Sequence, residues 1–160
     1  MQTPTRNATV TLPTDDQILI TRDFDAPKEL VYRAWTTPEL VKRWFGGNHG
    51  EVLSAEIDLR VGGRWRYVTS SGDGSESAFH GEYREITPNE RIVSTEVYEG
   101  YPDAEAINTL TLTERDGRTT MTVLVQHPNQ ANRDAVLRAG MESGMNAALD
   151  KLEQVARSLS

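Results

Sequence analysis

The three histidines of this sequence, His49, His80 and His127, are the side chains best suited to acid–base or metal chemistry near neutral pH. Their spacing includes neither His-x-His nor HExxH, so the sequence does not indicate a metal site. His127 closes a strand whose alternate residues are expected to face the interior, which makes it a candidate for a general base. The alternative is that His127 is a hydrogen-bonded packing residue at a strand end.

Other kinds of catalytic site find little support. The 160-residue sequence contains no cysteine, which excludes a thiolate nucleophile, a zinc–thiolate site and disulfide bonds. No serine lies in a G-x-S-x-G element, and no compact carboxylate pair stands out for hydrolysis. We therefore expect neither a metal nor a cofactor.

The stretch "DLRVGGRWRY" contains a glycine pair that could belong to a phosphate-binding loop or to a bend in a sheet. Phosphate loops lead into a helix, whereas these glycines precede an alternating, strand-like run. We interpret them as a bend between two strands, with Trp65 and Tyr67 on one face and Arg64 and Arg66 on the other. Asp58 is expected to pair with one of these arginines at the surface.

Charge limits the classes of partner. The sequence has 17 Lys and Arg against 24 Asp and Glu, a net charge of −7, which repels phosphate backbones and anionic lipids. No apolar run approaches the ~20 residues of a membrane span, and the first residues lack the apolar core of a signal peptide. We expect a cytoplasmic protein that contacts neither nucleic acid nor membrane.

The beginning of the chain predicts a short leader and the start of a single domain. Residues 1–8 are polar and are expected to be loose, and the folded domain is expected to span 9–158. Two short strands bracket "PTDD". A helix follows with Asp25 as its N-cap, and Pro38 ends it and opens a second, shorter helix reaching Trp44.

The rest of the chain alternates first as strands and then as a helix. Residues 51–127 have a hydrophobic period near two and contain six strands with short connections, of which "RDGR" is the sharpest hairpin signal. Residues 130–160 return to helical spacing and predict one long amphipathic helix. This order predicts an α+β fold in which the helix lies across one face of a curved antiparallel sheet.

Strand alternation and the final helix define a candidate ligand cavity. Gly140 and Gly144 form a small-residue row on the helix, which serves either close packing or a smooth roof over a cavity. An ordinary filled core is the alternative for each position, but the set as a whole has the apolar and aromatic character of small-molecule pockets. The predicted lining is Trp44, Phe45, Trp65, Tyr67, Phe79, Tyr83, Leu110, Leu112, Met121, Val123, Val125, His127, Met141, Met145 and Leu149.

The loop "YEGYPDAEAIN" is long for an antiparallel meander, and long ordered loops often act as lids. Tyr98 and Tyr101 are therefore candidates for a lid over the cavity mouth. A solvated loop with no such role is the alternative.

Several segments resemble the bacterial members of the activator of Hsp90 ATPase homologue 1-like family, within the START/Bet v 1-like (SRPBCC) superfamily. They are "FDAPKELVYRAWTTPELVKRWFG", "D-x-R-x-GG-RW", "HGEYREITPNERIV", "DGRTTMTV" and "AGMESGMNAALDKLEQVA". The resemblance covers about residues 17–158. It implies a helix-grip fold: a curved sheet of about seven antiparallel strands wrapped on a long C-terminal helix, two short helices after the first strand, and an apolar cavity between sheet and helix.

Three functions follow as hypotheses. The first is binding of a small hydrophobic or aromatic molecule in the cavity. The second is an enzyme of the cyclase, aromatase or hydrolase kind, using His127 with a nearby Tyr or Glu. The third is a protein-binding module, with a homodimer left open. An Hsp90-type chaperone is not an expected partner, because one fold hosts unrelated functions.

Overall fold

A computed structural model describes residues 8–46, 50–71 and 73–159 and confirms the α+β helix-grip architecture. The predicted leader, apart from Ala8, and His49 lie outside the described residues. In chain order the elements are β1 (Thr9–Thr11), β2 (Gln17–Phe24), α1 (Lys28–Thr36), α2 (Pro38–Val41), β3 (Gly50–Ile57), β4 (Arg64–Ser71), β5 (Glu76–Thr87), β6 (Arg91–Tyr98), β7 (Glu105–Arg115), β8 (Arg118–Gln126), α3 (Gln130–Arg138) and α4 (Met141–Ser158).

The described strands form one antiparallel sheet in the order β1-β2-β8-β7-β6-β5-β4-β3. It has eight strands, and the additional one beyond the expected seven or so is the three-residue β1, which pairs with β2 at the sheet edge. Bulges between Val52 and Ser54 in β3 and between Tyr83 and Glu85 in β5 bend the sheet. The face covered by α1 and α4 is called the inner face below, and the opposite one the outer face.

The predicted hairpin at "RDGR" is confirmed. Arg115 pairs directly with Arg118, and the two residues between them both have positive φ, 55° at Asp116 and 77° at Gly117. Positive φ at both central positions gives the backbone twist that matches two antiparallel strands. This turn joins β7 to β8 in the middle of the sheet.

Helix α1 begins differently from the prediction. Its N-cap is Pro27, not Asp25. Asp25 lies too far upstream to cap the helix and forms an ion pair with Arg118 at 2.9 Å. The capping carboxylate comes from β7 instead, because Glu114 accepts a hydrogen bond from the Lys28 backbone N–H at 2.8 Å.

The prediction of one long final helix is wrong in one respect. Gly140 has φ +82° and separates α3 from α4. A left-handed residue cannot continue a right-handed helix, so Gly140 acts as a break and not as part of a small-residue row. Asn129 caps the first piece by accepting a hydrogen bond from the Asn132 backbone N–H at 2.9 Å.

The core lies between the inner face of the sheet and helices α1 and α4. Fully buried side chains come from both layers and include Ile18, Phe24, Val31, Met121 and Leu152. The C-terminal half of α4 is the part that closes this core, because Leu149, Leu152, Val155 and Ala156 are its buried residues. The amphipathic pattern of the sequence places this stripe correctly.

A buried arginine joins the sheet to α4. Arg22 points inward from β2 with its side chain 2% exposed, and its guanidinium reaches Asp150 at 2.7 Å and Glu153 at 3.3 Å. The same guanidinium lies 5.0 Å from the centre of the Phe24 ring. Glu153 also accepts a hydrogen bond from the Asp25 backbone N–H at 2.8 Å. This cluster fixes the C-terminal half of α4 over β2.

We expect Arg22→Ala to lower the free energy of unfolding by about 3 kcal/mol, because it removes a buried side chain together with its packing and its ion pairs to Asp150 and Glu153. The matched control is Arg118→Ala, which breaks an exposed pair and should cost less than about 1 kcal/mol. Urea denaturation followed by circular dichroism measures both. Equal losses in the two variants would contradict the role given to Arg22.

Candidate functional site

Beside the sealed part of the core, one region of the inner face is only half-buried, and this region is called the recess below. The α4 backbone packs close to α1 and α3 and stands off from the strands, so side chains fill the space between α4 and the sheet. Near the C-terminal half of α4 these side chains are buried. Along residues 141–148 they are not. The half-buried inner-face positions that define the recess are Phe79, Ser94, Glu96, Asn108 and Val125 on the sheet and Met141, Met145 and Ala148 on the helix.

The predicted lining residues divide between the core and this recess. Phe45, Phe79, Val125, Met141 and Met145 keep accessible surface. The others are buried and form the wall on the core side: Trp44, Trp65, Tyr67, Tyr83, Leu110, Leu112, Met121, Val123, His127 and Leu149. The alternation of the strands therefore placed these side chains on the expected face, while ligand contact for each stays a prediction.

Aromatic rings form a continuous wall at one side of the recess. The contacts run from α1 through the turn after α2 to the sheet, and each joins rings of the predicted lining or their neighbours. The centroid distances are Trp35–Trp44 4.9 Å, Trp44–Phe45 5.9 Å, Phe45–Tyr67 4.8 Å, Phe45–Phe79 5.7 Å, Trp65–Tyr67 4.8 Å and Phe79–Tyr98 5.3 Å.

The indole of Trp65 interrupts the backbone hydrogen bonding between β5 and β6. Its indole N–H donates to the Thr95 carbonyl oxygen at 3.2 Å, and the Glu82 backbone N–H donates to the Thr95 hydroxyl at 2.9 Å. A Cβ at Gly81 would collide with the Thr95 carbonyl and the Trp65 indole nitrogen. Glycine is therefore required at this position, a constraint that the sequence pattern alone did not reveal.

A polar strip that the sequence pattern did not predict crosses the floor of the recess. Ser94 and Asn108 are cross-strand partners on β6 and β7. The Asn108 side-chain amide donates to Glu96 Oε1 at 2.6 Å. Alternation in "RIVSTEVY" does not reveal the strip, because Val93 and Val97 make the parity opposite to that of Glu96 the more apolar one.

Glu96 is the acidic member of this strip. Burial raises the pKa of its carboxyl, and the hydrogen bond from Asn108 opposes that shift. Burial is also the main cause that raises the pKa of the Tyr67 hydroxyl, with contributions from Tyr83 and Glu96. The Glu96 carboxyl and the Tyr67 ring therefore face a common region of low polarity.

Small residues flank Glu96 on both neighbouring strands. On β7 its partner is Ala106. On β5, the register that pairs Phe79 with Tyr98 and Tyr83 with Ser94 sets Gly81 opposite Glu96. Neither directly paired residue on the neighbouring strands therefore places a large side chain beside the carboxyl.

His127 lies at the edge of the recess and faces away from bulk water. Its backbone N–H donates to the Asp16 carbonyl at 2.9 Å, and within the described residues its Nε2 is buried without a hydrogen-bond partner. Burial and, to a smaller extent, Arg133 lower its pKa, while Asp16 opposes the shift. Extending the β7–β8 register by one residue sets His127 beside Ala106, so about 10 Å separates its backbone from that of Glu96.

The two candidate lid residues occupy different environments. Tyr98 is 45% exposed and its ring packs against Phe79 on the inner face. Tyr101 is 58% exposed in the loop that follows β6. Tyr98 is thus placed beside the recess, and a lid role for either tyrosine stays a prediction.

The outer face carries charges that pair with one another. Asp58 pairs with Arg60 at 2.8 Å, which corrects the expected pairing with Arg64 or Arg66. Asp58 and Arg60 are two residues apart in the exposed bend, so their side chains can pair without reaching across to β4. Arg66 instead forms a two-pronged ion pair with Glu99, at 2.9 and 3.0 Å.

A depression of about 480 Å³ lies on the outer face, at the place where Trp65 interrupts the pairing of β5 with β6. Charged side chains dominate its rim, and His80 Nδ1 lies 2.9 Å from Glu99 Oε2. Arg66 and His80 lower the pKa of the Glu99 carboxyl to about 2. These charges satisfy one another, so we place the candidate site at the inner recess.

Within the described stretches of the chain, no group of three or more His, Cys, Asp or Glu side chains could hold a metal ion. Within the same residues, no helix is long and apolar enough to cross a membrane.

We expect Glu96→Gln to stabilise the protein at neutral pH. Because the folded chain raises the Glu96 pKa, it binds the proton more tightly than the unfolded chain does. The wild-type free energy of unfolding therefore falls as pH rises from about 4 through the folded pKa. The glutamine variant lacks this loss, so its advantage should vanish near pH 4 in urea denaturation.

The matched control for this measurement is Glu82→Gln. Glu82 is exposed on the outer face, so the same change of charge should alter stability by less than about 0.5 kcal/mol at any of these pH values. A wild type more stable than Glu96→Gln at neutral pH would show that the Glu96 carboxylate is already well compensated.

Comparisons with known proteins point to one family. The sequence profile of the family described as Activator of Hsp90 ATPase homolog 1-like protein matches residues 25–157. None of the functionally curated proteins matches the chain.

Solved structures share the fold. A crystal structure of a protein from Rhodobacter sphaeroides is 22% identical, covers 95% of this chain and 99% of that one, and has a TM-score of 0.88. A protein from Chromobacterium violaceum is 27% identical, with 89% and 98% covered and a TM-score of 0.79. The solution structure of an AHSA1-like protein from Aeromonas hydrophila is 19% identical, with 88% and 93% covered and a TM-score of 0.66.

Proposed function

Because the chain belongs to the family of activator of Hsp90 ATPase homologue 1-like proteins, we propose that it binds a small hydrophobic or aromatic molecule in the recess. Folds of this family usually bind ligands. The observation that carries the proposal is the set of half-buried aromatic and apolar side chains around the middle of the inner face. Side chains at the centre of a covered sheet face are ordinarily buried, so accessible surface there indicates unfilled space.

The chemistry of the recess supports a ligand of this class. Small-molecule sites are mostly apolar and aromatic, with a few polar groups that orient the ligand. Phe45, Phe79 and Tyr67 supply the aromatic part. Met141 and Met145 line the helix side, and the flexible methionine side chain adapts to irregular apolar shapes.

The charge and composition of the chain support the remaining parts of the proposal. A net charge of −7 disfavours nucleic acid and anionic membranes as partners. A sequence without cysteine is consistent with a protein that functions in the reducing cytoplasm. We propose no chaperone partner, because a fold shared with a co-chaperone does not carry its activity.

An enzyme acting on a similar ligand is the second candidate. The observation in its favour is His127, whose buried Nε2 has no hydrogen-bond partner among the described residues and whose lowered pKa keeps the imidazole neutral at neutral pH. A neutral imidazole can accept a proton from a bound molecule. Glu96 is the acidic side chain of the recess that shares its cross-strand row, with Ala106 between them.

We expect the neutral fluorophore N-phenyl-1-naphthylamine to bind saturably with one molecule per chain. Met145→Trp should weaken its affinity tenfold or more, because the larger ring fills the recess from α4. Fluorescence titration measures both dissociation constants, and circular dichroism confirms that the variant is folded.

The control variant is Ser143→Trp, which adds the same ring at an exposed position of the same helix. It should leave the affinity within about twofold of wild type. Equal weakening by both variants, or a titration that never saturates, would count against a site in the recess.

A further inference from the structure

In the described residues, only one oxygen of the Glu96 carboxylate in the recess has a hydrogen-bond partner. Oε1 accepts the hydrogen bond from Asn108 at 2.6 Å. In the described stretches of the chain, no ion pair includes Glu96 and no further hydrogen bond reaches its other oxygen. Because Asn108 fixes one oxygen, the second has a defined direction and is left for another donor.

A carboxylate in such surroundings is costly unless it takes up a proton or meets a cation. The folded chain supplies no described cation to Glu96, in contrast to Arg22, whose charge is paired on α4. A bound molecule with a positively charged group would supply the missing partner. An anionic molecule would be repelled, and a neutral donor would gain a hydrogen bond without the charge.

The neighbouring rings favour the same kind of group. Tyr98 is two residues from Glu96 on the same strand face, and Phe79 packs against Tyr98. Tyr67 lies close enough to Glu96 for the carboxylate to affect its pKa. Aromatic faces attract cations, and rings beside a carboxylate together recognise an ammonium group attached to an apolar body.

We propose that Glu96 is a specificity-determining residue that selects hydrophobic molecules bearing a protonated amine, with the ammonium group at Glu96 and the aryl or alkyl body along the aromatic wall. This inference rests on the proposed function, because it names the ligand class of the same recess. Glu96 contributes orientation and selection, while the apolar wall contributes the contact area.

The experiment compares three molecules that share one apolar body. They are 4-phenylbutylamine, 4-phenylbutanol and 4-phenylbutyrate, which present a cation, a neutral donor and an anion. Isothermal titration calorimetry at pH 7.5 measures each dissociation constant with the intact protein. We expect the amine to bind at least tenfold more tightly than the alcohol, and the carboxylate to bind most weakly.

Two variants assign this preference to Glu96. Glu96→Gln keeps the shape and an acceptor for Asn108, and it should bring the amine within about twofold of the alcohol. Glu82→Gln removes the same charge from the outer face and should leave the tenfold preference unchanged. Amide chemical shifts around Asn108 and Phe79 should move on addition of the amine to the wild type.

The outcomes separate this inference from the proposed function. If all three molecules bind wild type equally well, Glu96 does not select a cation, while the hydrophobic site stands. If the amine preference survives Glu96→Gln, another group recognises the ammonium and the inference is overturned. If none of the molecules binds and N-phenyl-1-naphthylamine also fails to bind, the proposed function itself falls.

Discussion

The ion pairs of the buried Arg22 with Asp150 and Glu153 determine how α4 lies on the sheet. A buried guanidinium requires charged partners, and both carboxylates belong to α4, so they tie one half of the helix to β2. The apolar stripe of Leu149, Leu152 and Val155 then closes the core beside it. The other half of α4 is held at the sheet edge by a hydrogen bond, which Asn146 accepts from the Ala8 backbone N–H at 2.9 Å, and by no described ion pair to a strand. The recess forms at that unsealed half.

Periodic features were predictable because they depend on local chemistry. Alternation in residues 51–127 gives the strands and their inner faces, and the Asp-Gly pair at 116–117 gives its hairpin. The break at Gly140 was missed because glycine in a helical pattern signals either packing or a terminus, and the pattern does not distinguish them. Arg22 and Glu96 were missed because their partners, Asp150 and Asn108, lie on other elements of the chain.

The polar side chains on the floor of the recess cost folding free energy, and packing alone does not require polar residues there. An apolar residue at position 96 would extend the inner face without desolvating a carboxylate. Glu96 instead takes one hydrogen bond from Asn108 and lies between two small residues, Gly81 and Ala106. Gly81 itself is required by the Trp65 indole, which opens the ladder next to it. One local departure from regular pairing thus fixes the Trp65 ring of the aromatic wall beside the strand that carries Glu96.

Two glutamates three residues apart in the chain show how the faces of the sheet differ. Glu99 has Arg66 and His80 beside it, and these partners lower its pKa. Glu96, three residues earlier, has burial as its main influence, and its pKa moves in the opposite direction. The outer face therefore supplies Glu99 with cationic partners, whereas the inner face supplies Glu96 with one amide. Since both faces belong to the same strands, the difference lies in the partners that each side supplies, and at the inner face a proton, water or a bound molecule can take the place beside the second oxygen of Glu96.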